Sequence, residues 1–152
     1  MKKTLLTLTL ISSFAYADIT PKPNVTPGKA DPALTAQVIC AKGFTTTTIR
    51  NVTEATKNQV YNAYGIQNHA GYCTGPEGCE VDHLISLELG GSNDPANLWP
   101  QPYVGQWNAH DKDKLENRLH QLVCAGQVSL QQAQHDISTN WILSYQKYGL
   151  TK

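Results

Sequence analysis

The sequence lacks a long hydrophobic run after its first 17 residues, and nothing there approaches the roughly 20 apolar residues of a membrane-spanning helix. It also lacks an excess of charge of either sign, because 12 basic side chains stand against 12 acidic ones in 152 residues. Tight, non-specific binding of nucleic acid usually needs clustered positive charge. The composition therefore argues against such binding, although it leaves room for a local basic patch.

The first residues show the pattern of a targeting signal. Lys2 and Lys3 precede a short apolar stretch at 5–14, and Ala15–Ala17 matches an A-x-A cleavage site. We expect cleavage after Ala17, which would leave 135 residues with 10 basic and 12 acidic side chains, a net charge of −2. A chain of that length fits one domain with a modest core. The mature protein is therefore predicted to be periplasmic or secreted, without a membrane anchor.

Cysteine is scarce, with four residues, and none of them forms a C-x-x-C pair of the kind that binds zinc. An even number of cysteines in an exported chain predicts two disulfides, for which three pairings are possible. We favour Cys73–Cys79, because the glycines and the proline between them suit a tight closed loop. The remaining pair is Cys40–Cys124, and closing so long a loop would stabilise the fold by roughly 4 kcal/mol in the chain-entropy model.

Proline and hydrophobic patterning divide the first half of the chain. Residues 18–33 contain four prolines and are predicted to form an extended arm rather than a packed element, which leaves 34–152 as the folded domain. Residues 38–49 are predicted to form one or two short strands, because β-branched and apolar side chains surround a single glycine.

A helix is predicted to follow. Asn51 and Glu54 resemble a capping box, and Gly65 would end the helix after Tyr64. Its buried face would consist of Val60, Ala63 and Tyr64. Residues 80–89 then read as a strand, 90–95 as a tight turn, and 97–99 as a short return strand.

From Asn108 onward the pattern is helical. One helix would end at Gly126, and another would begin at the capping box of Ser129 and end at Gly149. The apolar residues at helical spacing, which we assign to the core, are Leu115, Leu119, Leu122, Val123, Leu130, Ala133, Ile137 and Trp141.

Residues 81–116 contain the constellation that best suits chemistry. In order they read as strand, turn, strand, loop and helix, an arrangement that brings the end of the first strand and the start of the helix to one point. Adjacent residues of a regular strand point to opposite faces. Asp82 and His83 can therefore serve one site only where the strand ends or distorts.

Two segments carry a family resemblance. Asp82–Gly91, which reads DHLISLELGG, and Asn97–Pro100, which reads NLWP, together resemble the HNH endonuclease motif of the ββα-metal, or His-Me finger, nucleases. Residues 112–117 resemble the continuation found in small exported bacterial HNH proteins. The motif covers about a quarter of the chain, and the finer resemblance runs roughly from Cys40 to Trp141. It implies a single small α+β domain built around a ββα finger at about 80–125, with flanking helices and stabilising disulfides.

The resemblance implies a role for each matching residue. His83 matches the first histidine of the motif, the general base, and a histidine's ordinary pKa of about 6.5 suits that role at neutral pH. Asp82 is a hard anionic ligand suited to Mg²⁺. Asn97 matches the middle asparagine, whose amide would hold the loop that carries His83, while an ordinary turn asparagine is the alternative.

The third position of the motif has two candidates, Asn108 and His110. Residues two apart on a helix face about 200° from each other, so both cannot bind one metal from a regular helix. We favour Asn108, which shares a face with Lys112, a side chain that could hold a phosphate. Ligation by His110 would make Zn²⁺ or Ni²⁺ more plausible. Arg50 and Arg118, the two arginines, are further candidates for binding phosphate.

Other conspicuous residues receive structural interpretations. Glu88 is assigned to a solvated face of the strand, although a supporting role beside the metal ligands is the alternative. Trp99 and Trp107 are assigned to the core rather than to base stacking. The remaining histidines, which we assign to the surface or the core, are His69, His120 and His135.

The predicted function is that of an exported endonuclease that hydrolyses phosphodiester bonds, with DNA favoured over RNA as the substrate. One divalent cation is expected, Mg²⁺ before Mn²⁺, Zn²⁺ or Ni²⁺. The alternative is a non-catalytic exported module that binds nucleic acid or metal, which the acidic balance favours, whereas the Asp82–His83 pair favours the enzyme. A phosphatase acting on small esters is a third possibility.

Overall fold

The computed structural model describes residues 19–66 and 78–152, and within them it shows a small mixed domain of helices and one two-stranded sheet. The helices and strands, in chain order, are α1 (Ala36–Ile39), α2 (Glu54–Ala63), β1 (Cys79–His83), β2 (Leu98–Pro102), α3 (Ala109–Cys124) and α4 (Leu130–Lys147). Three 3-10 turns lie between them, at Thr46–Thr48, Leu87–Leu89 and Pro95–Asn97. A small domain of mixed helices and sheet, held by a disulfide, is thus confirmed.

The two strands pair in antiparallel fashion, and the ladder ends where His83 faces Leu98. The predicted first strand extends to Leu89 and is therefore too long. Beyond His83, the backbone N–H and C=O of Ile85 bond to the side chain of Asn97, at 3.0 and 2.9 Å. Because these backbone groups are satisfied by a side chain, the chain leaves the sheet at His83.

The two long helices begin at side-chain caps. Asn108 forms a capping box with Asp111 at the start of α3, and the hydroxyl of Ser129 accepts a hydrogen bond at the start of α4. The predicted core residues of both helices are buried, apart from the half-buried Leu130. α4 is interrupted at Asn140, whose backbone is extended.

Residues 38–49 contain no strand, contrary to the prediction. They hold the end of α1 and the Thr46–Thr48 turn instead. The hydroxyl of Thr45 accepts a hydrogen bond from the backbone N–H of Thr47. Such local bonds from threonine compete with strand pairing, which explains why β-branched residues here do not form a ladder.

The helix predicted from Asn51 begins two residues later than expected. Thr53 is its cap, because its hydroxyl accepts from the backbone N–H of Thr56 at 3.1 Å. Val60 and Tyr64 are buried as predicted, whereas Ala63 is exposed. The predicted face was therefore correct at two of its three positions.

The proline-rich arm is packed, which corrects its prediction as a loose segment. Thr26 is 1% exposed, and its hydroxyl donates to the carbonyl of Leu98 at 2.8 Å. The backbone N–H of Gly28 donates to the carbonyl of Ala96 at 3.1 Å. Proline prevents regular structure here, but the arm's own hydroxyl and amide groups still pair with the start of β2.

Buried side chains form two clusters that meet in the segment after His83. Leu84 belongs to the cluster around Trp99 and α2, whereas Ile85 and Leu89 belong to the larger cluster formed with α1, α3 and α4. Because both clusters hold this segment, the position of His83 at its start depends on the packing of most of the domain.

The predicted disulfide between Cys40 and Cys124 is confirmed, with a Cα–Cα distance of 5.4 Å across a sequence separation of 84. It joins the end of α1 to the end of α3. Cys79 also takes part in a disulfide, but its predicted partner Cys73 lies outside the described residues, so that pairing stays a prediction.

The predicted targeting signal at 1–17 also lies outside the described residues. None of the helices in the two described ranges is both long and apolar enough to span a membrane.

Candidate active site

A cleft of about 250 Å³ opens where the end of β1 faces one side of α3, and we refer to it as the cleft. Its lining consists of Thr46, Arg50, Asp82, His83, Ser86, Leu87, Glu88, Asp113, Glu116 and Asn117. Four of these side chains are carboxylates, one is an imidazole and one is a guanidinium. The cleft therefore combines a proton acceptor with anionic ligands and a cation.

His83 lies at the end of β1 with 2% of its surface exposed. Its Nε2 atom is 3.1 Å from Oδ1 of Asn93. Burial lowers the pKa of His83, and this effect outweighs the hydrogen bond from Asn93 and the charge of Asp82, which act in the opposite direction. The imidazole is therefore neutral at pH 7 and able to accept a proton.

Asn97 is fully buried, and both polar atoms of its side-chain amide form hydrogen bonds. Its Oδ1 accepts from the backbone N–H groups of Lys29 and Ile85, at 3.1 and 3.0 Å. Its Nδ2 donates to the carbonyls of Ile85 and Ser92, each at 2.9 Å. These bonds join three chain segments beside His83, so the side chain is structural and lies too deep to touch a substrate.

Lys112 is fully buried, and its ammonium group joins β1 to α3. It donates to Oδ2 of Asp82 at 2.7 Å, to the backbone carbonyl of His83 at 2.6 Å, and to Glu116. Burial acts to lower the pKa of Lys112, but the charges of Asp82 and Glu116 raise it above its ordinary value. The prediction that Lys112 holds a phosphate is wrong, because all three N–H groups of the ammonium already have partners inside the protein.

Three further carboxylates in the cleft repel one another and Asp82, although Glu116 also pairs with Lys112. Burial raises the pKa of Glu88, Asp113 and Glu116, and repulsion between the carboxylates of the cleft adds to the effect in each case. Hard divalent cations such as Mg²⁺ prefer oxygen ligands of this type and would relieve the repulsion. The buried hydroxyl of Ser86 has no hydrogen-bond partner among the described residues, so it offers one more unsatisfied oxygen in the cleft.

The two residues predicted for the third position of the motif lie outside the lining of the cleft. The amide of Asn108 is used in the capping box with Asp111. His110 is exposed and stacks on Tyr103, with 5.8 Å between the ring centroids. Neither side chain lines the cleft beside Asp82, which corrects the predicted ligand set, because Asn108 caps α3 and the ring of His110 lies against Tyr103 and 3.8 Å from the carboxylate of Asp113. The residues of α3 that do line the cleft are Asp113, Glu116 and Asn117.

The two arginines differ in their relation to the cleft. Arg50 is exposed, lines the cleft, and makes no salt bridge with any described residue. Arg118 is exposed on α3 and does not belong to the lining. Glu88 also lines the cleft from the Leu87–Leu89 turn, so its assignment to a solvated strand face is corrected.

The tryptophans are packed, as their sequence interpretation proposed. Trp99 is fully buried. Trp107 lies edge-on against the rings of Trp141 and Tyr145, with centroid distances of 5.9 and 5.5 Å. Neither indole belongs to the lining of the cleft.

A group with the spacing of metal ligands lies away from the cleft. Within residues 19–66 and 78–152, the His, Cys, Asp or Glu side chains that bring at least three potential ligand atoms together are Cys40, His120 and Cys124, whose atoms lie within 4.8 Å of one another. The two cysteines are joined in a disulfide, so neither offers the thiolate that binds a metal. His135 is exposed, and His69 lies outside the described residues.

A larger hollow of about 560 Å³ lies between the proline-rich arm and α4. His135 is the one ionisable side chain in its lining, which is otherwise made of hydroxyl, amide and apolar groups. It therefore offers far less acid–base chemistry than the smaller cleft.

Sequence reasoning missed four residues of this region, namely Asn93, Asp113, Glu116 and Asn117. The last three follow Lys112 on α3 at helical spacing, and a helical projection that placed Leu115 and Leu119 in the core would have grouped them on an adjacent face. Asn93 lies in the turn between the strands and has no sequence pattern that distinguishes it from any turn asparagine.

Comparisons of the chain with protein-family models, with curated proteins and with solved structures gave no match. The functional assignment therefore depends on the chemistry of the cleft and on the motif resemblance.

Proposed function

We propose that this protein is an exported, metal-dependent endonuclease of the HNH type that hydrolyses phosphodiester bonds of nucleic acid. The observation that carries the proposal is the meeting of a buried, neutral His83 with Asp82 and the carboxylates of α3 in one cleft. The order β1, turn, β2, α3 is the order of a ββα finger, which supports the motif resemblance.

His83 is the general base of the proposed reaction. Its neutral imidazole takes a proton from water, and the resulting hydroxide attacks phosphorus in line with the leaving oxygen. The bond between phosphorus and the leaving oxygen breaks, and that oxygen takes a proton from solvent water. Burial keeps the ring free of a proton at neutral pH. The bonds of Asn97 to Ile85 and Ser92 keep the segment that follows His83 in place during the reaction.

Asp82 together with Asp113 and Asn117 would hold the divalent cation. Asp113 and Asn117 are four residues apart and so share one face of α3. Nδ2 of Asn117 donates to the backbone carbonyl of Asp113 at 2.8 Å, which leaves the amide oxygen as the available ligand atom. Asp82 uses one oxygen to accept from Lys112, and a carboxylate has further lone pairs. A cation held there would supply positive charge to offset the negative charge that develops on the leaving oxygen.

Arg50 is the group we assign to substrate phosphate. It is the exposed cation of the cleft lining, whereas the ammonium of Lys112 is buried and already paired. A planar guanidinium suits bidentate contact with a phosphate. The acidic balance of the cleft excludes a polyanion unless a cation is present, so substrate binding should itself depend on metal.

The test uses the exported, oxidised protein with supercoiled plasmid and, in parallel, RNA. Cleavage is followed in Mg²⁺, Mn²⁺, Zn²⁺ or EDTA, beside the variants His83→Ala and His135→Ala. His135 is exposed and lies outside the cleft, so its replacement controls for loss of a histidine as such. We expect nicking that requires metal, that is lost by at least about a hundredfold in His83→Ala, and that persists in His135→Ala.

Full activity of His83→Ala would refute the assignment of the base. No cleavage of either nucleic acid by the natural protein would favour a binding module instead. Cleavage of a small phosphate ester alone would favour a phosphatase.

A further inference from the structure

Asn93 connects His83 to a segment that is distant in sequence. Its Oδ1 lies 3.1 Å from Nε2 of His83 and also accepts from the backbone N–H of Asn51 at 3.1 Å. Its Nδ2 donates to the backbone carbonyl of Ile49 at 2.8 Å. The side chain thus joins the turn after β1 to the residues on either side of Arg50.

The orientation of this amide is determined by the backbone rather than by the histidine. Turning the amide over would place its NH₂ group against the N–H of Asn51 and its oxygen against the carbonyl of Ile49. Both contacts would then pair two donors or two acceptors. Asn93 therefore presents an oxygen, an acceptor only, to Nε2 of His83.

An acceptor at this distance requires a hydrogen on Nε2. A neutral imidazole carries one N–H, so the lone pair that accepts a proton belongs to Nδ1. We propose that Asn93 is the positioning residue that holds His83 in the Nε2–H tautomer and leaves Nδ1 as the proton acceptor of the cleft. The consequence for catalysis rests on the proposed function.

A matched pair of substitutions separates this role from simple support of the turn. Asn93→Ala and Asn93→Asp both remove the donor to Ile49, but the aspartate keeps an oxygen against Nε2. Lys29→Ala is the control, because it removes a 2.5 Å contact with Asp94 in the same turn without touching His83.

The tautomer is measured directly by long-range ¹⁵N–¹H correlation on oxidised, histidine-labelled protein in EDTA, at an alkaline pH where the imidazole is neutral. We expect a protonated Nε2 and an unprotonated Nδ1 for His83 in the natural protein, in Asn93→Asp and in Lys29→Ala. In Asn93→Ala the ¹⁵N chemical shifts of the two ring nitrogens should move toward each other, because the ring exchanges between tautomers.

Plasmid cleavage is measured on the same samples. Replacing a group that orients an active residue typically costs about ten- to a hundredfold in activity. We expect a loss of that size in kcat for Asn93→Ala with little change in KM, and a smaller loss for Asn93→Asp.

A protonated Nδ1 in the natural protein would overturn the inference, whatever the protein cleaves. Equal losses of activity in both variants, with the tautomer unchanged, would also overturn it, since only support of the turn would then matter. If the expected tautomers are found but no nucleic acid is cleaved, the assignment of Asn93 stands and the proposed nuclease function fails.

Discussion

Lys112 lies in an environment that is unusual for a lysine. It is a lysine with no exposed surface, and it lies between two carboxylates and the backbone carbonyl of His83. The ammonium therefore acts as a fixed positive charge within the protein, and it ties the strand that ends at His83 to the helix that carries Asp113 and Asn117.

Replacing Lys112 by methionine should destabilise the protein strongly. Asp82 and Glu116 would be left without their ammonium partner, and breaking such a buried pair costs about 3–5 kcal/mol. Lys114→Met is the matched control, because Lys114 is 59% exposed in its salt bridge with Asp111 and should change stability by less than about 1 kcal/mol. Urea unfolding followed by circular dichroism measures both. Equal midpoints for the two variants would contradict the prediction.

The pH dependence of cleavage should report the environment of His83. Burial lowers its pKa in the folded protein, and the proposed base would act in its unprotonated form. Activity should therefore rise with pH through a midpoint below the ordinary value of about 6.5, and a nearby cation would move that midpoint further in the same direction. This midpoint is measured on the acid limb of the pH profile of kcat/KM.

The exposed His135 provides the control for that profile. His135→Gln should leave the acid limb in place, since His135 lies outside the lining of the cleft. A midpoint above 6.5, or an acid limb that disappears in His135→Gln, would show that another group controls the rate.

At the scale of the structural elements, the turn between the strands leaves no room for a side chain at Gly91. A Cβ atom added to Gly91 would lie 1.7 Å from the carbonyl oxygen of Ile85 and 2.9 Å from Nδ2 of Asn97. The Gly-Gly pair of the motif is thus explained by lack of space at its second member. The same carbonyl accepts the hydrogen bond from Asn97, so the turn and the segment after His83 depend on each other.

Gly91→Ala should disrupt this element and reduce activity with it. The clash is with backbone, which cannot move without displacing the segment that begins at His83, so we expect a loss of about 3 kcal/mol or more in unfolding free energy. Gly126→Ala is the control, because Gly126 has a positive φ of 69° but open space around it, and the strain there is about 1–2 kcal/mol. Thermal unfolding of both variants tests the comparison, and equal losses would argue against the clash.

At the scale of the whole molecule, the disulfide between Cys40 and Cys124 closes most of the domain into one loop. Its ends are 84 positions apart, and the loop contains β1, β2 and nearly all of α3. The constraint therefore acts on the entire cleft rather than on one of its sides.

Removing this bridge in a Cys40→Ala/Cys124→Ala variant should cost about 4 kcal/mol of unfolding free energy in the chain-entropy model. A domain of this size has only about 5–15 kcal/mol in total, so the melting temperature should fall markedly. Added reductant should lower the melting temperature of the natural protein by more than that of the variant. An unchanged melting temperature in the variant would contradict the prediction.

Much of the fold could be predicted from local sequence patterns. The apolar spacing of α3 and α4 and the cap at Ser129 depend on neighbouring residues, and these predictions were confirmed. The two strands were found in order, but the first ends at His83 rather than Leu89, and the cap at Asn108 was not predicted. The threonines at 45–48 misled strand prediction, because their hydroxyl groups bond to the local backbone. The packing of the arm through Thr26 could not be read from its prolines, because its partners are more than 60 positions away.

The sequence by itself singled out Asp82, His83, Asn97 and the glycine pair through the motif, but its strand pattern ran on to Leu89, and the end of the strand at His83 came from the structure. Only the tertiary structure decided which residues of α3 meet them. At the start of that helix the side chain of Asn108 forms the cap, and the buried Lys112 sets which face of α3 lies against β1. Spacing along the chain could not show this, because a helix presents several faces and only packing against the sheet and the core selects one.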